Sequence, residues 1–182
     1  MCLVAAPAAP HSPAMPSTLP CRIDLPDEAA TSAFGESLAP LLRAGDVLAL
    51  WGEIGAGKSH FARALIKARL RAEGRDEDVP SPTFTLVQTY RAGALEIWHS
   101  DLYRLTHPDE ALELGLEDAF STALSLIEWP DRLGADLPPE TLHLRFAPGP
   151  TDSARYLTLE SAAADWAVRL DAILARRACI DA

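Results

Sequence analysis

The sequence predicts one α/β domain, with a mostly parallel central sheet, helices on both faces and an added antiparallel hairpin. Three adjoining features carry that expectation. Val47-Leu48-Ala49-Leu50-Trp51 is a continuous apolar run of strand length, as expected of a strand covered on both faces. A glycine-rich stretch, Gly52-Glu53-Ile54-Gly55-Ala56-Gly57-Lys58-Ser59, follows it directly. Residues 58–72 then place Phe61, Leu65 and Ala68 on one helical stripe, with arginines and Lys67 outside it.

The remaining elements follow in chain order. Residues 1–21 are rich in alanine and proline and are expected to be a disordered leader, because closely spaced prolines prevent both helix and strand pairing. The leader lacks the positively charged start and unbroken apolar stretch of a secretory signal. The domain itself is expected over 22–178. Asp27 can cap a helix whose apolar residues are Phe34, Leu38, Leu41 and Leu42, and Pro40 should kink or end it. Gly45-Asp46 turns into the first buried strand. Two β-like runs, 83–90 and 95–103, are separated by Arg91-Ala92-Gly93-Ala94 and read as a hairpin. Thr106-His107-Pro108-Asp109-Glu110 is a helix start, and the helix should run to about Phe120, weakened by Gly115. A buried strand over 123–127 ends in Glu128-Trp129-Pro130. A strand pair at 142–146 and 156–160 precedes a terminal helix over 163–177.

Composition narrows the function classes. The chain has 182 residues, 48% hydrophobic and 23% charged, which suits one soluble domain with a substantial core. No apolar run reaches the roughly 18–20 residues of a membrane span. Cys2, Cys21 and Cys179 have no metal-ligand spacing; they argue against a disulfide framework and suit a reducing, cytoplasmic setting. The formal charge is -10, with two lysines and the arginines spread along the chain. A protein that grips nucleic acid alone needs a basic face, so autonomous binding is disfavoured.

The glycine-rich stretch fits the pattern G-x-x-x-x-G-K-[ST], a P-loop. Its glycines let the backbone curl without side chains blocking a phosphate, and its N–H groups gather at the positive end of the following helix. Lys58 should reach the β- and γ-phosphate oxygens of ATP, and the Ser59 hydroxyl should bind Mg2+. An acid near that metal is also required. Glu128 and Asp101 both end buried strands, and either could bind Mg2+ or position the attacking water. Thr83 and Thr85 could sense the γ-phosphate, or be ordinary strand threonines. His99 could orient Asp101 or be structural, and Trp129 could stack on a base or fill the core.

Five blocks in order resemble the bacterial TsaE (YjeE) family, the ATPase component of tRNA threonylcarbamoyladenosine biosynthesis. They are Leu25-Pro26-Asp27-Glu28-Ala29-Ala30-Thr31, the P-loop, Ser81-Pro82-Thr83-Phe84-Thr85-Leu86-Val87, His99-Ser100-Asp101-Leu102-Tyr103-Arg104-Leu105 and Ile127-Glu128-Trp129-Pro130. The resemblance spans about 22–160. It implies slow Mg2+-dependent ATP hydrolysis that resets a complex with TsaD and TsaB. Those partners would install the threonylcarbamoyl group on the adenosine beside the anticodon, and tRNA would be reached only through the complex. It further implies that Ile54, Gly55, Ala56, Gly57, Lys58 and Ser59 hold the phosphates and that Ser59 and Glu128 hold Mg2+. Thr83 would belong to a switch-like segment and Asp101 would be a second functional acid. Glu28, Asp131 and Arg155 are further candidates for nucleotide contact. Ser59 stands where the family commonly has threonine, which the motif tolerates. A free-standing kinase is disfavoured because Arg132, Arg145 and Arg155 are too scattered for a lid. A GTP switch is disfavoured because no Asn-Lys-x-Asp segment is present.

Overall fold

The computed structural model describes residues 19–107 and 109–176. The expected leader lies largely outside them, as do residues 177–178 of the expected domain. Seven strands form one sheet in the spatial order β1-β7-β6-β2-β5-β4-β3. The strands are β1 Cys21–Leu25, β2 Val47–Trp51, β3 Val87–Ala92, β4 Leu95–Asp101, β5 Leu124–Glu128, β6 Leu142–Pro148 and β7 Arg155–Glu160. At the centre, β6, β2, β5 and β4 are parallel neighbours. The flanks are antiparallel: β3 against β4 on one side, β7 and β1 on the other.

The helices are α1 Glu28–Leu38, α2 Lys58–Ala72, α3 Asp109–Glu113, α4 Leu116–Thr122 and α5 Ala164–Leu174. Strand alternation sends neighbouring side chains to opposite faces. Leu48, Leu50 and Leu126 join Phe34, Phe61, Leu65 and Trp166 under α1, α2 and α5. Val47 and Ile127 point the other way, into a smaller cluster with Leu105, Ala111, Leu116 and Leu133. Helices therefore cover both faces, as the apolar run of β2 requires. At the start of α1, Asp27 accepts from the Ala30 N–H at 2.7 Å, the expected cap. Pro40 falls in a short 3-10 turn, Ala39–Leu41, where the helix ends.

Several expectations change. The first hairpin strand begins only at Val87, because residues 83–86 form a turn closed by Leu86 N–H donating to Pro82 O at 2.7 Å. Its partner stops at Asp101 rather than Tyr103, and the hairpin turns on Gly93-Ala94 alone. The helix expected over 106–120 is divided at Gly115, whose φ of 77° no continuous helix can accommodate. The edge strand β1 lacks a strong sequence signal. Its alternating buried Cys21, Ile23 and Leu25 become a pattern only when paired with β7. Cys21 is disulfide-bonded, against the expectation from cysteine spacing, and its partner lies outside the described residues. Among the described residues no helix is long and apolar enough to cross a membrane.

Candidate phosphate-loop site

The parallel strands β2, β5 and β4 all end at one edge of the sheet, which is where open α/β sheets gather their functional groups. From β2 the chain turns at Gly52, with φ of 140°. A Cβ there would stand 2.7 Å from the Phe146 carbonyl oxygen, so only glycine lets the loop leave against β6. Gly55 and Gly57 also have positive φ, but a Cβ on either would meet nothing within 4 Å. Both line a cavity of about 270 Å³, together with Lys58, Ser59 and Glu128. Gly57 is the N-cap of α2, so that cavity sits at the positive end of a 15-residue helix.

The sequence-derived acids converge on this point. Asp101 and Glu128 are register partners on β4 and β5 and are 4% and 2% exposed. Ser59 Oγ donates to Glu128 Oε2 at 2.8 Å. Glu128 Oε1 lies 2.8 Å from His99 Nε2. Thr83 Oγ1 donates to Asp101 Oδ2 at 2.8 Å and lies 2.9 Å from Ser81 Oγ. Tyr103 N–H donates to Asp101 Oδ1 at 3.0 Å. Thus the turn at 83–86 and the end of β4 both orient one carboxylate. Thr83, Asp101, Tyr103 and Trp129 line a second cavity of about 200 Å³ that shares Gly55, Lys58, Ser59 and Glu128 with the first.

Lys58 is buried, and its ammonium donates to the carbonyls of Gly52 at 2.5 Å and Glu53 at 2.9 Å. It also lies 4.1 Å from the centre of the Trp129 ring, a cation–π contact. Burial lowers its pKa below the ordinary lysine value, and the charges of Glu128, Asp101, Glu53 and Asp131 partly oppose that shift.

The weaker candidates divide. Glu28 and Arg155 line the 270 Å³ cavity together with Gly55, Ala56 and His60. Arg155 donates from Nε to Ala56 O and from Nη2 to Gly55 O, each at 3.0 Å. Its Nη1 donates to the Asp152 and Ala154 carbonyls. Most of its N–H groups are thus engaged with backbone, and it ties β7 to the loop. Asp131 lines a neighbouring cavity instead, with Gly52 and Glu53 of the loop, Trp129 and Arg145, and pairs with Arg132 at 3.5 Å. Ile54 is exposed at the loop tip. Thr85 does not line either of the two shared cavities.

Sequence alone does not single out Ser81 and Tyr103 as site residues, although both lie inside the quoted blocks. His60, which lies 2.7 Å from Ser32 Oγ, carries no such signal.

The residues present fit a nucleotide with Mg2+. Gly55 and Gly57 line the cavity without side chains, and Ser59 and Glu128 offer hard oxygen ligands side by side. Among the described residues no group of three or more His, Cys, Asp or Glu forms a self-contained metal cage. Few protein ligands are what Mg2+ takes where phosphate oxygens and water complete its octahedron.

Known proteins share this arrangement of sequence. A family model described as threonylcarbamoyl adenosine biosynthesis protein TsaE matches residues 25–156. A tRNA threonylcarbamoyladenosine biosynthesis protein TsaE from Rickettsia bellii (strain RML369-C) is 41% identical over 114 residues, 63% of this chain and 77% of that protein. The protein of that name from Bacillus subtilis (strain 168) is 36% identical over 115 residues, 63% of this chain and 69% of its own. With the Rickettsia conorii protein of that name the match spans 58% of each chain, at 44% identity. The crystal structure of Bacillus subtilus YdiB is similar with a TM-score of 0.69 and 25% identity, over 85% of this chain and 94% of that one.

Proposed function

Because the chain belongs to the TsaE family of threonylcarbamoyl adenosine biosynthesis proteins, we propose that it is a slow Mg2+-dependent ATPase serving that tRNA modification. The observation that carries the reading is the 2.8 Å contact between Ser59 and Glu128 at the start of α2, beside the buried Lys58. In this reading the loop amides of 54–59 and the Lys58 ammonium bind the phosphates. Lys58 acts from a buried site, where a charge-assisted hydrogen bond is stronger than in water. Ser59 and Glu128 hold Mg2+, which when bound neutralises phosphate charge and favours its transfer to water. Asp101, held by Thr83 and by the Tyr103 N–H, accepts a hydrogen bond from water and orients it. Glu28 contributes to the nucleotide cavity from α1. Arg155 shapes the loop from β7.

The proposed partners are TsaD and TsaB, which carry out the threonylcarbamoyl transfer to the adenosine next to the anticodon. ATP hydrolysis by this chain resets their complex for another round, and tRNA is met only within that complex. The net charge of -10 agrees with a subunit that leaves the RNA to others. The test is Mg2+-ATP hydrolysis by the pure protein, alone and then with TsaB, TsaD and substrate tRNA. Slow hydrolysis alone, with multiple-turnover modification dependent on this chain, is the expected result. Modification that proceeds equally without it, or rapid phosphate transfer to a small molecule, would overturn the proposal.

A further inference from the structure

His99 stands two residues before Asp101 on β4 and turns its ring towards the end of β5. Its side chain is 1% exposed, and that of the acid it meets, Glu128, is 2% exposed. The ring has a single polar partner: Nε2 lies 2.8 Å from Glu128 Oε1, while Nδ1 is buried and without one. A neutral imidazole has one N–H and one bare nitrogen. Leaving an N–H buried and unpaired costs more than leaving a lone pair, so the hydrogen belongs on Nε2 and is donated to the carboxylate. The two oxygens of Glu128 are therefore separately committed, Oε1 to His99 and Oε2 to Ser59.

We infer that His99 is a positioning residue, whose Nε2–H fixes the Glu128 carboxylate so that its other oxygen is presented beside Ser59. The inference rests on the reading of Ser59 and Glu128 as the Mg2+ ligands. Without the imidazole, Oε1 is a buried carboxylate oxygen with no donor, and the side chain is free to turn away from Ser59. Outer partners of metal ligands act in this way, and their removal lowers metal affinity by about 10–100-fold. A histidine that merely filled the core would have been replaceable by an apolar side chain without consequence for the metal.

The test measures binding of a fluorescent ADP analogue as Mg2+ is titrated, for the full-length protein and for His99→Leu and His99→Gln. Glutamine carries its side-chain N–H at about the reach of Nε2. His99→Leu should raise the Mg2+ midpoint about tenfold while leaving metal-free nucleotide binding unchanged, and His99→Gln should restore most of the loss. In a Glu128→Gln background the leucine substitution should have no further effect on the midpoint, since the group it positions no longer carries the charge. A Mg2+ midpoint unaltered in folded His99→Leu overturns the inference, as does a loss that is the same with and without Glu128. If His99→Leu fails to fold, His99→Asn replaces it, because asparagine reaches the Nδ1 position and not Nε2. A midpoint equal to that of His99→Gln is then the contrary result. Failure of the unaltered protein to bind nucleotide in a Mg2+-dependent way would instead remove the ligand assignment, and this inference with it.

Discussion

Burial holds the Lys58 ammonium below the usual lysine pKa, although carboxylates surround it. A lysine whose folded pKa lies below its unfolded value of 10.5 destabilises the fold while it must remain charged. That penalty is fully present below the folded pKa and is relieved as pH rises from there towards the unfolded value. Lys58→Met keeps the volume and removes the charge, so at pH 7 it should melt at the same temperature or higher. Its advantage should shrink as pH approaches 10.5. Nucleotide affinity should fall by at least about tenfold, the worth of a hydrogen bond to a charged group. Thermal melting across pH, with a nucleotide titration, checks both; a variant that melts well below the native protein would mean Lys58 is a stabilising core contact. The P-loop side chains were legible in the sequence because one motif specifies them in a short span. Asp101, Glu128 and Thr83 were legible only as candidates, since what joins them is strand register and a turn. Asp131 shows the limit: it follows Glu128 closely in sequence, yet the 3-10 segment Pro130–Asp136 carries it to a different cavity.

Among the elements, the loop between β2 and α2 separates folding from binding at neighbouring glycines. Gly52 is pressed against the Phe146 carbonyl, whereas Gly55 faces open space. Gly52→Ala must therefore move β6 or the loop, and it should cost about 2 kcal/mol of stability, within the range for strained backbone positions. Gly55→Ala carries only the penalty of a left-handed alanine, about 1 kcal/mol, but it adds a methyl to a residue that lines the nucleotide cavity. Denaturant unfolding should thus separate the two by stability, and Gly55→Ala should lose nucleotide binding while still folded. Equal unfolding midpoints would show that β6 yields easily to the added methyl. The strand β2 and helix α2 were predictable because one is an unbroken apolar run of strand length and the other carries an apolar stripe at helical spacing. The turn at 83–86 was not. Its threonines and Phe84 have strand propensity, but the Thr83 hydroxyl is engaged by Asp101 and Leu86 sits at a φ of 64°. Tertiary contacts outweighed propensity there, as they commonly do for short β-like runs. At Gly115 the reverse holds: local backbone preference divided a helix that capping and periodicity had extended.

Across the whole molecule, the site occupies the strand ends near Glu128, while the start of β2 is secured independently by α5. Asp46, just before β2, is nearly buried and meets Arg169 of α5 through both guanidinium Nη atoms. Arg169 also donates to Leu41 O at 2.7 Å and lies 4.1 Å from the Trp166 ring centre. The hydrogen bond and charge of Asp46 raise the Arg169 pKa further, so the guanidinium stays charged. Helix α5 lies beyond residues 25–156, where the family model matches, so its clasp need not take part in the shared chemistry. Arg169→Met preserves the apolar stem and leaves Asp46 without its main partner. The Arg43 N–H still donates to Asp46 at 2.8 Å, so the loss should be about 2 kcal/mol, below the roughly 3–5 kcal/mol of a fully orphaned buried charge. For a domain of this size that is a fall in melting temperature of about 4–8 °C. Nucleotide affinity and its Mg2+ midpoint should not change in the folded variant, because the Arg169 side chain bonds to Asp46, Asp165 and Leu41 and to none of the residues lining the two site cavities. Calorimetric melting paired with nucleotide titration checks this. Stability and affinity falling together would mean that the two ends of β2 are coupled, and that α5 helps to set the geometry of the site.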